Sequence, residues 1–220
     1  MRRSAHSVFA SLAVAVLLAE GSLCAAELPP APQDRPDSPA ATDKPDAQAP
    51  QAKKDEPPKT PAEERADLYA RLAVSKDEDE TAGVITQLLH LYSESGSDTA
   101  DLLLRRARQA IGVENYSDAL KILDATVALL PDWAEGWNAR ATARYLDDDY
   151  NGSMADIAQT LKREPKHIGA LMGMGMILEA REKREDALKV YERVLEIAPH
   201  WRNAEDAADK LKKALAGSEL

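Results

Sequence analysis

The stretch "LLPDWAEGW", residues 129–137, decides the fold. Its proline, Pro131, interrupts a chain rich in helix formers. A proline inside a helix costs about 3 kcal/mol, through a lost N–H and a clash with the preceding turn. "REPKH" carries Pro165 and "IAPHW" carries Pro199 in like surroundings, and the three prolines fall 34 residues apart, twice over. Spacing that regular predicts a repeat, with each proline stopping one helix before the next unit begins.

Placing the prolines at position 32 of a 34-residue unit gives three units, 100–133, 134–167 and 168–201. Position 8 then holds Ala107, Ala141 and Gly175, and position 20 holds Ala119, Ser153 and Ala187. Position 24 holds Leu123, Ile157 and Tyr191, and position 4 holds Leu103, Trp137 and Leu171. Small residues face small ones and large ones fill between, as antiparallel helix pairs require. This pattern resembles the tetratricopeptide (TPR) repeat, W-x2-L-G-x2-Y…A-x3-F…P, over residues 98–201. The resemblance implies an all-α fold, a TPR α-solenoid of antiparallel helix pairs with a C-terminal capping helix.

Outward from the repeats, residues 61–97 read as a helix pair in a degenerate TPR-like unit. Tyr69, Leu72, Ala73 and Leu89 keep the frame, while Ile85 and Ser97 depart from it. Thr60, Pro61 and Glu63 form a capping-box start, Ser75 with Glu78 repeats the device, and Asp98 can cap the helix after Gly96. Residues 202–220 read as the polar capping helix and tail that an open helical array needs.

Residues 27–60 form a Pro/Ala-rich segment with almost no large apolar side chain, and residues 27–62 hold ten of the thirteen prolines. Such a composition cannot bury a core and is read as a disordered linker. Residues 1–26 have the build of a secretory signal peptide: Arg2 and Arg3, an apolar run from Val8 to Ala19, then small residues ending at Ala26. The run is too short to span a bilayer, which takes about 20 residues. Cleavage near Ala26 removes the lone cysteine, Cys24, and leaves no membrane span. "SGSDTADLL" ahead of the repeats is similar to a group of exported TPR proteins of Gram-negative bacteria. The expected location is therefore the periplasm.

The formal net charge of -10 argues against nucleic acid as a partner, because that binding needs a basic surface. No phosphate-binding glycine loop or nucleophile elbow is visible, and His167 and His200 lie in the turns after the repeat prolines. The expectation is a protein without catalytic residues, cofactor or metal. One acidic turn invites a calcium alternative, with Asp147, Asp149 and Asn151 spaced like loop ligands. The place of the bidentate glutamate, however, is taken by Ala158.

The TPR resemblance implies that a protein or peptide partner lies along a concave groove lined by the first helices. Family ligand positions give Arg108 from the first unit. They give Asn138, Thr142 and Tyr145 from the second, and Met172, Met176 and Glu179 from the third. The lysine–asparagine clamp of chaperone-binding members is absent, since Leu104 and Arg108 occupy its places. Met172 and Met176 are adaptable groove residues or core. Arg106 and Arg140 at position 7 and Arg144 at position 11 depart from the family. They read as stems over apolar surface or as anion contacts, with Asp124 or Asp156 able to pair with them. The expected role is a periplasmic adaptor or scaffold. The alternatives are an envelope-assembly or secretion accessory factor acting through homo-oligomerisation, and a calcium-responsive module.

Overall fold

A computed structural model describes residues 59–217, and among them the backbone forms helices and no strand. In chain order these are α1 (Pro61–Val74), α2 (Glu78–Ser93), α3 (Asp98–Gly112), α4 (Tyr116–Leu129), α5 (Ala134–Leu146), α6 (Tyr150–Arg163), α7 (Ile168–Ala180), α8 (Arg184–Ile197) and α9 (Arg202–Gly217). The signal-peptide reading of 1–26, most of the linker reading of 27–60 and the tail 218–220 lie outside the described residues.

The repeat prolines sit where the frame expects them. α4, α6 and α8 end two residues before Pro131, Pro165 and Pro199. A residue that cannot continue a helix is common just past its C-cap. In each turn the N–H of position 34 reaches back to the carbonyl of position 31: Trp133 to Leu130 at 3.2 Å, His167 to Glu164 at 3.0 Å, Trp201 to Ala198 at 3.2 Å. The turns inside the units are equally periodic. Glu114, Asp148 and Glu182, all at position 15, have φ of 59°, 62° and 59°. That left-handed residue closes the first helix, as when the Asp149 N–H meets the Arg144 carbonyl at 2.8 Å.

Within each pair the helices touch through the small positions. Ala107 and Ala119 are fully buried, and Ser153 donates its hydroxyl to the Ala141 carbonyl at 2.8 Å. In the third unit Gly175 faces the Tyr191 ring so closely that a Cβ would lie 2.4 Å from Cε1.

Neighbouring units stack through positions 3, 6 and 10 of the first helix. These are Gly136, Ala139 and Ala143 in α5, then Ala170, Gly173 and Ile177 in α7, and most are buried. α9 repeats the pattern with Ala204, Ala207 and Leu211 and packs on α8, so it closes the array as the capping helix.

The helix pair α1–α2 differs from the sequence expectation. It does not precede α3 as a stacked fourth unit. Instead α1 packs against α8 and α2 against α5. The physical reason lies in α3, whose positions 3, 6 and 10 are Leu102, Arg105 and Gln109, all exposed. An end face carrying a guanidinium and an amide gains nothing by being buried. The apolar sides of α1 and α2 therefore turn back over the array. Leu68, Leu72, Val84, Leu88 and Tyr92 enter one buried cluster with Ile168, Leu171, Met172 and Trp201.

Two caps also fall elsewhere. Thr60 and Glu63 do form the capping box, but α2 is capped by Asp77, whose carboxylate accepts the Glu80 N–H at 2.9 Å. Ser75 instead closes α1, donating to the Leu72 carbonyl at 2.8 Å. α3 is capped by Ser97 rather than Asp98.

Replacing Gly175 with alanine forces the buried Tyr191 ring to move, because the new Cβ meets three of its carbons at 2.4, 2.6 and 3.0 Å. The expected loss is about 1–3 kcal/mol of stability, read by denaturant unfolding. An unchanged midpoint would show that the pair is not tightly closed at this position.

Candidate functional site

α3, α5 and α7, the first helices of the three units, carry the expected groove residues, which stand in different states. Arg108 donates through Nη2 to Ser93 Oγ at 3.0 Å and to Glu135 Oε1 at 2.9 Å. Asn138 donates through Nδ2 to the other oxygen of Glu135 at 3.0 Å. The Thr142 hydroxyl bonds to the Asn138 carbonyl at 3.1 Å. Tyr145 packs beside Tyr150 with ring centroids 5.6 Å apart, and burial pushes its phenol up to about 12. Glu179 accepts from the Tyr191 hydroxyl at 2.8 Å and from Lys210 Nζ of α9 at 3.0 Å.

The two methionines separate. Met172 is buried beneath α2, in the cluster shared with Leu88 and Tyr92. Met176 stays partly exposed. α2 thus covers the part of the face formed by Arg108, Glu135 and Met172. Asn138, Thr142, Tyr145 and Met176 form a partly exposed strip.

The covered part contains residues to which the sequence reading gave no role. Trp133, His167 and Trp201 all stand at position 34, two residues after a repeat proline. Trp133 donates its indole N–H to the Tyr92 carbonyl at 2.9 Å. His167 stacks on the Tyr92 ring at 4.2 Å and 15°. Trp201 joins the same buried cluster. A row of rings at 34-residue spacing is therefore the seat of the N-terminal pair. The signal was present in "PDW", "PKH" and "PHW". His200, one place earlier in its turn than His167, is exposed.

His167 is fully buried and caps α7. Its Nδ1 accepts the Ala170 N–H at 3.2 Å, which leaves the ring proton on Nε2 to be donated to Glu135 Oε2 at 3.1 Å. Burial alone raises the Glu135 carboxyl. The His167 hydrogen bond and the Arg108 charge outweigh that and hold it below the usual carboxylate range. A buried carboxylate with three donors is a structural anchor rather than a free base.

Arg140 and Arg144, read as stems or anion contacts, both have carboxylate partners within the molecule. Arg140 binds Asp156 through Nε at 2.9 Å and Nη2 at 2.7 Å, and Asp124 through Nη1 at 2.8 Å. Its guanidinium lies over the Trp137 ring at 4.8 Å. Arg144 adds a 3.0 Å pair to Asp156. Arg106 lacks this setting, because position 23 of its unit is Ile122 where the next unit has Asp156, and it stays exposed.

In the acidic turn, Asp149 caps α6 by accepting the Gly152 N–H at 2.9 Å, and Asn151 accepts from Arg181 at 2.6 Å. Two of the three calcium-ligand candidates therefore already have protein partners. Among the described residues no group of three or more His, Cys, Asp or Glu side chains is gathered to hold a metal. None of the described helices is long and apolar enough to cross a membrane.

No family model matches the chain. A TPR repeat-containing protein of Rhizobium etli is 36% identical over 159 residues, 72% of this chain and 78% of that protein. Among solved structures, the first TPR of Spaghetti (RPAP3), bound to the HSP90 peptide SRMEEVD, superposes with a TM-score of 0.52 at 24% identity. The match covers 55% of this chain and 95% of that one. The crystal structure of MamA gives a TM-score of 0.50 at 15% identity, covering 63% and 80%. At these identities the two structures share the fold.

Arg140→Leu leaves the buried Asp156, 2% exposed, with only Arg144 as cation. The expected cost is about 2–4 kcal/mol, since breaking a buried pair strands a charge. Thermal unfolding measures it. Full retention of stability would mean that Arg140 merely lies across the surface.

Proposed function

The chain belongs to the tetratricopeptide-repeat proteins, and from that premise we propose that it is a non-catalytic adaptor holding a peptide or protein segment along its concave face. The observation that carries this is the partly exposed strip of Asn138, Thr142, Tyr145 and Met176 between the end of the face covered by α2 and Glu179, which is tied to α9. Two aromatic or thioether side chains beside an amide and a hydroxyl suit a segment with alternating apolar and polar contacts. The side chains that general acid–base chemistry would draw on here, Glu135 and His167, are buried and bonded to each other. Asp156 is held by two arginines.

An exported, periplasmic setting is part of the proposal. Arg2 and Arg3, the apolar run and the small residues up to Ala26 support it. Sequencing the N-terminus of the mature protein should find Glu27 first. A retained Met1 in the fractionated protein would remove the export reading.

Peptides selected on the full chain from a displayed library should lose about tenfold or more in affinity for a Tyr145→Ser/Met176→Ser variant, as anchor contacts do. Circular dichroism checks that the variant keeps its helices. Equal affinity for both proteins would move the site off this strip.

A further inference from the structure

We propose that α2 is a resident stand-in for a partner's helix, so that the covered part of the concave face takes an amphipathic helix with a carboxylate where α2 has Ser93. This rests on the concave face being the binding surface. α2 lies on the array as a helix ligand lies in a groove. Its buried residues Thr81, Val84, Ile85, Leu88, Leu91 and Tyr92 keep the i, i+3, i+4, i+7 spacing of helix-in-groove recognition; the apolar ones share a cluster with α7 and α9, while Thr81 bonds to Ser75 at the end of α1 at 2.7 Å. Its 16 residues reach about 24 Å at 1.5 Å per residue. Glu78 at one end pairs with Arg202 of α9 at 2.5 Å, and Ser93 at the other meets Arg108 of α3 at 3.0 Å. The helix therefore runs across the array from its last helix to its first.

Part of the array packs without this occupant. The buried cluster between α3, α4 and α5 contains no residue of α1 or α2, and neither does the one joining α5, α6 and α7. Only the cluster at the third unit is shared. The covering pair is joined through the short turn 94–97, whose Gly96 has φ of 75°. Polar contacts fasten the pair at its margin: Arg65 and Tyr69 to Glu164 at 3.1 and 3.2 Å, and Trp133 to the Tyr92 carbonyl. Beneath them Glu135 is already satisfied by His167, Asn138 and Arg108, so lifting α2 leaves that carboxylate paired.

The fit of α2 is incomplete at one place. Arg108 shares Nη2 between Ser93 and Glu135, and its buried Nε meets no acceptor among the described residues. A hydroxyl offers a guanidinium one neutral acceptor, whereas a carboxylate offers two charged ones in a matching plane. A helix with the α2 stripe and an aspartate in place of Ser93 supplies what Arg108 lacks.

Two measurements on the full chain test this. In native-state hydrogen exchange the buried amides of α2 should exchange about tenfold or more faster than those of α6 and α8, as for a separately opening unit. If they exchange no faster, α2 is permanent core and the proposal fails. The second titrates fluorescein-labelled peptides of residues 78–93 into the protein. The Ser93→Asp peptide should bind about tenfold tighter than the native-sequence peptide, and Arg108→Gln should abolish the difference. Equal binding of the two peptides, or binding of neither, overturns the proposal. If library-selected peptides still bind through Tyr145 and Met176 in that case, the adaptor reading stands and only the stand-in falls. The reverse pattern removes the open strip as a site and keeps the stand-in.

Discussion

Two helices can lie close together only where neither carries much side chain at the crossing. That constraint recurs at Ala107 with Ala119, at Ala141 with Ser153, and at Gly175 with the Tyr191 ring. Everything else in the array follows from it. Close pairs leave room for Leu123, Ile157 and Tyr191 to fill the space between helices. They also require a sharp turn at each end. One turn is made by a left-handed residue at position 15, the other by the proline at position 32. The prolines that interrupt the helical pattern are thus part of the packing.

Stacking of pairs on one another is a separate matter, set by a second group of positions. Where positions 3, 6 and 10 are small or apolar, a neighbour packs against them, and this holds for α5, α7 and α9. Where they include Arg105 and Gln109, the array ends. The apolar sides of α1 and α2 then find burial on the concave face, against a row of rings from the inter-unit turns. Desolvation at one end of the array accordingly decides how much of the first-helix face stays uncovered.

The polar groups that look most reactive in the sequence are mostly used internally. Asp156 draws in Arg140 and Arg144, and Glu135 draws in His167, Arg108 and Asn138. A carboxylate taken out of water needs such partners, because its charge costs several kcal/mol if left unpaired. The exception is Arg108, whose Nε meets no acceptor among the described residues where α2 meets the array.

Much of this was legible without coordinates. The 34-residue spacing of Pro131, Pro165 and Pro199, with small residues at positions 8 and 20, pointed to helix pairs and to the family they resemble. Both features act locally, through backbone geometry and short-range contact. The sequence also named Asp124 and Asp156 as partners for the arginines, since their spacing from Arg140 follows from the pairing of adjacent helices. The destination of α1 and α2 was decided only by tertiary structure. Their own sequence keeps much of the repeat frame, and what redirects them is the polarity of α3, a different element. The same holds for Met172, equally suited to groove or core until α2 lies over it, and for His167, which becomes a buried anchor only when Glu135 and Tyr92 close on its two sides. Periodicity encodes how a chain pairs with its neighbours in sequence. Which faces are left to be covered, and by what, depends on surfaces that exist only after those pairs have formed.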